Sequence, residues 1–308
     1  MTKGESPCRR EQAEFTVEES FDGRTCGEFL KIRGVSRRLI ARLKRADGGI
    51  TRNGVLIKTS DAVFAGDRIS LKNIDRSRLE PNPALIVPVI YEDEDVIVYD
   101  KPAGMPVHPS IKHQGDTLGN CFAAMLPELT FRPVNRLDKD TSGLCAVAKS
   151  AYAANYLGGR ISKVYIAVTE GMPIPRDTGD PYIKWYETDT DFRIEAPIGR
   201  AGESIIRREI RADGQKAVTK YTIIKANEKF SLLRIELETG RTHQIRVHFS
   251  AAGHPLAGDD LYGGSREYIS AQALHCGEMS FARPSDGKII RLFSEIRRDM
   301  SELIVGSE

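Results

Sequence analysis

The chain has 308 residues, 40% of them hydrophobic and 29% charged, an ordinary globular composition with length for one or two domains and a sizeable core. No apolar run approaches the roughly 18 residues of a membrane span, and five scattered cysteines without a Cys-x-x-Cys pair argue against a disulfide framework or a zinc knuckle and for a reduced cytoplasm. The net charge of +2 conceals an asymmetry: residues 1–80 hold 17 Lys and Arg against 12 Asp and Glu, the remainder 28 against 31, so the excess that suits a polyanion is confined to the first quarter.

Met1 to Glu14 is polar, lacks the apolar core of a secretion signal and is expected to be a flexible tail. Residues 15–75 read as a small basic module. Thr25 and Glu28 form a capping box for a helix carrying Phe29, Leu30 and Ile32. Ser36 caps a second helix with Leu39, Ile40 and Leu43 on one face. Between Lys31 and Arg45 stand seven basic residues and no acid. Arg37, Arg38, Arg42, Lys44 and Arg45 project from the second helix, either as a solvated face or as phosphate contacts. Ile50 to Ile57 predicts a hairpin around Asn53-Gly54, and Ala65 to Ile69 a further turn into a strand.

Residues 76–85, with Pro81 and Pro83, predict a linker, and a second domain spans 86–308. Its first strands, Ile86–Tyr91 and Val96–Tyr99, flank Glu92-Asp93-Glu94-Asp95. That acidic run lacks the glycine and distal glutamate of a calcium loop and reads as a solvated turn. Lys101-Pro102-Ala103-Gly104 and Val107-His108-Pro109 form an irregular connection to a helix over 117–125. Next comes Asn135-Arg136-Leu137-Asp138-Lys139-Asp140-Thr141-Ser142-Gly143-Leu144, a polar stretch that feeds an apolar strand over 143–149. By composition it is a surface turn or a loop holding Asp138 over a rigid sheet, anchored by Leu137 and tuned by Arg136.

A helix capped by Ser150 and a strand over 163–168 follow, the strand bearing Lys163 and Tyr165 on one face. Residues 171–215 are loop-rich and their topology is open. Strands are expected over 218–225 and 231–238. Thr239 to Phe249 enters a helix that stops near Gly253. His243 and His248 are five apart and no Glu follows His243, so core histidines are expected there rather than zinc ligands. Arg241 beside the positive end of a helix calls for a carboxylate, and Asp138 is the one expected. Residues 274–278 and 289–293 read as strands before a short helix.

Arg136-Leu137-Asp138, with Thr141-Ser142-Gly143 two residues on, resembles the catalytic motif of the RluA family of pseudouridine synthases, which isomerise uridine within RNA. Family members usually carry His where this chain has Asn135. The 101–109 connection, Ile194 to Arg200, and the run from Thr239 through Gly258-Asp259 to Leu261-Tyr262-Gly263-Gly264 resemble further family blocks in the family order, over about residues 85–295. Helix, basic helix, hairpin and Gly-Asp turn also look like an alpha-L RNA-binding module of the kind in a small-subunit ribosomal protein. The resemblance implies an α+β chain: a small alpha-L domain, then a mixed, mainly antiparallel sheet with a central cleft and Asp138 on a cleft loop.

The implied chemistry breaks the bond from the ribose anomeric carbon to nitrogen 1 of uracil, turns the base and rejoins the sugar at carbon 5. Asp138 acts as nucleophile or as base on the ribose 2′ proton, and must be charged in a dry pocket, which needs a paired cation. Arg241 is the implied partner. Tyr165 takes the family's active-site tyrosine position, to stack on uracil and assist proton loss from carbon 5. Arg136 faces the RNA, filling the place of the flipped base or binding phosphate. No cofactor and no metal are expected. RNA is the expected partner, ribosomal over transfer RNA, for a cytoplasmic monomer with no obligatory protein partner. The rivals are a non-catalytic RNA-binding protein of this fold, and a metal-dependent hydrolase or nuclease pairing Asp138 with Asp259 or Asp260.

Overall fold

The structure is a computed structural model that describes residues 12–72, 79–202, 204 and 206–305. The first part comprises β1 (Gln12–Thr16), α1 (Cys26–Ile32), α2 (Arg37–Leu43), β2 (Ile50–Arg52), β3 (Val55–Leu56) and β4 (Arg68–Lys72), with the sheet order β1-β4-β2-β3. The Thr25 hydroxyl accepts from the Glu28 amide while the Glu28 carboxylate accepts from Thr25, and the Ser36 hydroxyl accepts from the Leu39 amide. Asn53 and Gly54 both have positive φ, 51° and 84°, as a two-residue turn matched to strand twist requires. β1 begins inside the span expected to be tail; residues 1–11 lie outside the described residues.

Phe29, Leu30, Leu39, Ile40, Leu43, Val63 and Ile69 are buried in a core of their own. That core takes in Tyr152 from further along the chain, whose ring meets Phe15 edge-on at 4.9 Å, with Ala151 and Tyr156 packed beside it. The Asn155 amide also donates to the Gly34 carbonyl, so the module is seated on the helix that carries these residues. Of the expected linker, residues 79–85 lie against the second domain. Leu79 and Leu85 pack on its core, and Asn120 donates to the Glu80 carbonyl.

The second part contains β5 (Val89–Glu92), β6 (Val96–Lys101), α3 (Leu118–Met125), β7 (Ser142–Ala148), α4 (Ala151–Leu157), β8 (Ser162–Glu170), β9 (Lys184–Glu187), β10 (Phe192–Glu195), β11 (Ile198–Arg200), β12 (Arg208–Ile210), β13 (Val218–Ala226), β14 (Phe230–Leu237), α5 (Gln244–Ala251), β15 (Leu274–Ala282), β16 (Ile289–Phe293) and α6 (Arg298–Val305). Its ten-stranded sheet runs β5-β6-β7-β15-β8-β14-β13-β10-β9, with β16 pairing β15. The sheet is mixed and mainly antiparallel. Its parallel contact joins β7 to β15 through Ser142–His275 and Gly143–Cys276. Residues 171–215, whose topology the sequence left open, supply β9 and β10 at one sheet edge and the separate β11–β12 pair. The acidic run at 92–95 is a hairpin turn, with Asp93 accepting from the amides of Asp95 and Val96 at 2.8 Å each.

The parallel contact sets the position of the loop at 135–141. Gly143, Cys276, Tyr165 and Ile235 lie in register across β7, β15, β8 and β14. Gly143 has φ +100°, and a Cβ there would meet the Cys276 carbonyl oxygen at 2.4 Å. Only glycine lets these two backbones approach so closely. Among the described residues no helix is long and apolar enough to cross a membrane.

Candidate active site

Asp138 sits where the chain enters the parallel contact, and its loop is tied down residue by residue. Asn135 is buried. Its amide nitrogen donates to the Leu144 carbonyl at 3.1 Å and its oxygen accepts from the Ala146 amide at 2.8 Å. The departure from the family's usual His is therefore a splint between loop and β7. Leu137 is buried in the main core, as its anchoring role requires, while Arg136 between these two points outward to the rim of a pocket. The Gln272 amide donates to the Thr141 hydroxyl at 2.6 Å, and the Ser142 hydroxyl meets His275 Nδ1 at 2.9 Å.

Lys101 holds the loop from below. It is wholly buried at the end of β6, and its Nζ donates to the carbonyls of Pro102, Met105 and Lys139 at 2.7, 2.8 and 3.0 Å. Burial pushes its pKa down to about 8, against the pull of Cys145, Asp140 and Asp138, so the ammonium is still charged at neutral pH. Lys101→Met keeps the bulk and leaves three carbonyls without their donor. Thermal denaturation should show a loss of about 3 kcal/mol, roughly 5–10 °C in Tm. Amide exchange at 138–141 should quicken; an unchanged melting curve would refute the clamp.

The side chain of Asp138 is 27% exposed and faces a pocket lined by Arg136, Thr141, Tyr165, Arg241, His243 and Arg246, with Leu137, Leu237 and Leu274 as apolar walls. Its guanidinium partner differs from the one expected. Arg246 on α5 donates from Nη1 to Asp138 Oδ2 at 2.9 Å, and from Nε and Nη2 to the two oxygens of Asp259 at 2.7 Å each. Arg241 is exposed at the pocket edge. Its Nε donates to the Lys216 carbonyl at 3.1 Å, and among the described residues it makes no ion pair with Asp138. The reason is where the helix starts. Gln244 Oε1 accepts from the Arg241 amide and the Thr239 hydroxyl, while its Nε2 donates to the Val218 carbonyl. This staple ends the turn at residue 243, leaves Arg241 outside the helix and puts Arg246 on the face toward Asp138.

Arg246 is 8% exposed and Asp259 1%. Burial alone would lower the arginine's pKa, but the hydrogen bonds and charge of Asp259, then of Asp138, raise it, so the guanidinium stays charged. It also lies 4.9 Å over the Tyr262 ring. His243 stands beside the pair, its Nε2 3.7 Å from Asp138 Oδ2 and its Nδ1 2.8 Å from the Tyr262 hydroxyl. Burial lowers its pKa against the pull of Asp138, so the ring is neutral near pH 7. Its backbone is left-handed, φ 58° and ψ 18°, a conformation that costs on the order of 1–3 kcal/mol outside glycine.

Tyr165 is buried on β8 at the pocket wall, and burial, followed by Cys276 and Asp138, raises its phenol well above the usual range. The hydroxyl therefore stays protonated, which suits stacking and hydrogen donation and not a phenolate base. His248 follows the core reading: it is buried between the Thr219 hydroxyl and the Ala196 carbonyl, and burial lowers its pKa to about 4. The basic residues Arg37, Arg38, Arg42, Lys44 and Arg45 are all exposed on or beside α2, away from this pocket, and none is ion-paired among the described residues. Among the described residues no three His, Cys, Asp or Glu side chains converge on a metal-sized site. The carboxylates of the hydrolase reading are already bridged, Asp138 and Asp259 by Arg246, while Asp260 pairs with Arg266 at 2.8 Å.

Arg246, Lys101, Tyr262 and the site role of His243 were missed from sequence. Arg246 carried a signal: a charge inside the apolar run Ile245 to Phe249 has to be paired when that run is buried.

Residues 95–251 match the family model described as RNA pseudouridylate synthase. Over 293 residues the chain is 36% identical to a Bacillus subtilis protein named uncharacterized RNA pseudouridine synthase YjbO, covering 92% of this chain and 99% of that one. It is 33% identical to ribosomal large subunit pseudouridine synthase D of Pseudomonas aeruginosa, covering 84% of this chain and 83% of that one. Among solved structures, human RNA pseudouridylate synthase domain containing 1 superposes with a TM-score of 0.54 at 24% identity, over 70% of this chain and 86% of that one, a likeness of fold.

Proposed function

The chain belongs to the RNA pseudouridylate synthase family, and we propose, from that premise, that Asp138 is its reacting group and that its uridines lie in large-subunit ribosomal RNA. The enzyme is an isomerase: uracil leaves the ribose through nitrogen 1, turns and returns through carbon 5. No electrons and no group pass to an external acceptor, so the reaction calls for no cofactor. The observation that carries the assignment of Asp138 is the inequality of its two oxygens. Oδ2 is held by Arg246, whereas Oδ1 makes no hydrogen bond among the described residues. An ionised carboxylate with one oxygen fixed and one open to the pocket suits attack on the anomeric carbon, and equally removal of the ribose 2′ proton. Arg246 supplies the paired cation that both routes need.

In this reading Tyr165 stacks on the flipped uracil in a central cleft, and Arg136 at the rim occupies the place that the base leaves. Arg241 at the pocket edge contacts the RNA. The basic module of residues 15–75 acts as an alpha-L RNA-binding domain. Support comes from the five exposed basic residues on and beside α2, and from a groove lined by Lys31, Arg37, Lys44, Thr59 and Ser60. An anchored basic module suits a large structured RNA, and the Pseudomonas aeruginosa relative is among those named for the large ribosomal subunit. Transfer RNA is the alternative target. The protein acts as a cytoplasmic monomer.

Tritium at carbon 5 of uridine must leave when pseudouridine forms. Labelled transcripts of large-subunit ribosomal RNA and of transfer RNAs, incubated with the purified chain, test the reading. Release from the ribosomal transcript is expected. Release confined to transfer RNA would overturn the target, and none from either would overturn the enzyme assignment for these substrates. Replacing Arg38, Arg42 and Arg45 by Gln should weaken binding of all these RNAs alike and flatten the log–log salt slope by about 2–3, at about 0.7–0.9 per phosphate contact. An unchanged slope would remove the module from the RNA interface.

A further inference from the structure

We propose that His243 is a positioning residue for Asp138: Tyr262 fixes its imidazole as the Nε2–H tautomer, and that N–H closes on Oδ2 of Asp138 when RNA fills the pocket, leaving Oδ1 to react. The inference rests on Asp138 being the reacting group. The tautomer follows from the hydrogen bonds of one hydroxyl. Tyr262 Oη accepts the main-chain N–H of Arg208 at 2.9 Å, and among the described residues its own proton has one acceptor, His243 Nδ1 at 2.8 Å. With Nδ1 accepting, the proton of the neutral ring resides on Nε2. The opposite tautomer would idle the Tyr262 proton and aim a ring lone pair at a carboxylate oxygen.

Nε2 lies 3.7 Å from Oδ2, the oxygen that Arg246 already holds. That distance is too long for a hydrogen bond, and such contacts tighten when substrate expels water. The backbone carries the same message independently. His243 is the N-cap of α5, yet its side chain makes no cap hydrogen bond and its φ is +58°. A helix-starting residue that neither caps nor relaxes is one whose side chain is committed elsewhere. The charged groups around the ring are Asp138, Arg246, Asp259 and Arg208. Two donors converging on Oδ2 fix the carboxylate plane, which one donor leaves free to rotate.

Two measurements test this. Long-range nitrogen–proton NMR of the ¹⁵N-labelled chain reads the His243 tautomer without any turnover. The Nε2–H form is expected in the wild type and a mixture in Tyr262→Phe; an Nδ1–H form in the wild type would overturn the proposal. Kinetics then separate positioning from packing. Asn at 243 tolerates the left-handed backbone and can accept from Tyr262, but its amide ends at the Nδ1 position, whereas Gln brings an N–H to the Nε2 position. His243→Asn should lower kcat by about 10- to 100-fold, the scale of a small misplacement, with KM little changed. His243→Gln should recover most of the rate, and Tyr262→Phe should add nothing in the His243→Asn background. A His243→Asn enzyme with wild-type rate, or a Gln variant as slow as Asn, would overturn it. Wild-type release from ribosomal RNA is the control for the substrate; its absence would count against that reading alone, since the tautomer is measured regardless.

Discussion

Asp138→Asn abolishes tritium release from uridine-labelled RNA while leaving the fold and RNA affinity in place. The expected loss in kcat is at least ~10⁴-fold, the range seen when the reacting member of a catalytic unit is removed. Asn has the shape of Asp and its oxygen can still accept from Arg246. What it lacks is the negative charge that both chemical routes require. The fold should tolerate the change. The Asp138 side chain is 27% exposed, its turn is closed through its main-chain carbonyl to the Thr141 amide, and Arg246 keeps both bonds to Asp259. The loss should be the same with and without a chelator, because the cation at this carboxylate is a guanidinium. Residual release above about one per cent of wild type would be too much for a reaction that has lost its reacting group, and would move that role to another residue. A large fall in RNA affinity would instead make Asp138 a binding residue.

Much of this architecture was legible because its signals are local. The Thr25–Glu28 box, the Ser36 cap and the Asn53-Gly54 turn are each decided within four residues, and the structure forms all three. Leu137 was readable as an anchor because an apolar residue in a polar loop has to be buried somewhere. The partner of Asp138 was not readable in that way. Whether Arg241 or Arg246 faces it depends on where α5 begins, and that is decided by Gln244 bonding across to β13. Sequence electrostatics set Arg241 right beside the helix start, whereas α5 begins three residues later, at Gln244. Asn135 was unreadable for a related reason. Its two hydrogen bonds go to β7 through the register of loop on strand, which no local pattern encodes. Residues 171–215 stayed open because their strands are short and find partners only at the edge of an assembled sheet.

The choice between the two arginines yields the second large effect. Arg246→Met should cost about 3–5 kcal/mol of stability, the scale of breaking a buried pair from one side, and should reduce turnover as severely as loss of Asp138. The stability term comes from Asp259, 1% exposed, which would stay buried with no cation. The activity term comes from Asp138, which would lose the donor that fixes Oδ2 and its neutralising charge. These two consequences can be pulled apart. Adding Asp259→Asn to Arg246→Met removes the stranded charge and should restore most of the melting temperature without restoring tritium release. Arg246→Lys should fail in activity as well, since one ammonium cannot grip both oxygens of Asp259 and still reach Asp138. Arg241→Met, by contrast, should melt like wild type, because its side chain gives up one exposed hydrogen bond to a main-chain carbonyl. Its effect should fall on KM for RNA. If Arg241→Met instead eliminated kcat while Arg246→Met left it intact, the pairing seen between α5 and the Asp138 loop would not be the one that operates on bound RNA. The double variant is the sharper test: rescue of activity along with stability would mean that Arg246 serves the fold through Asp259 and that Asp138 reacts without it.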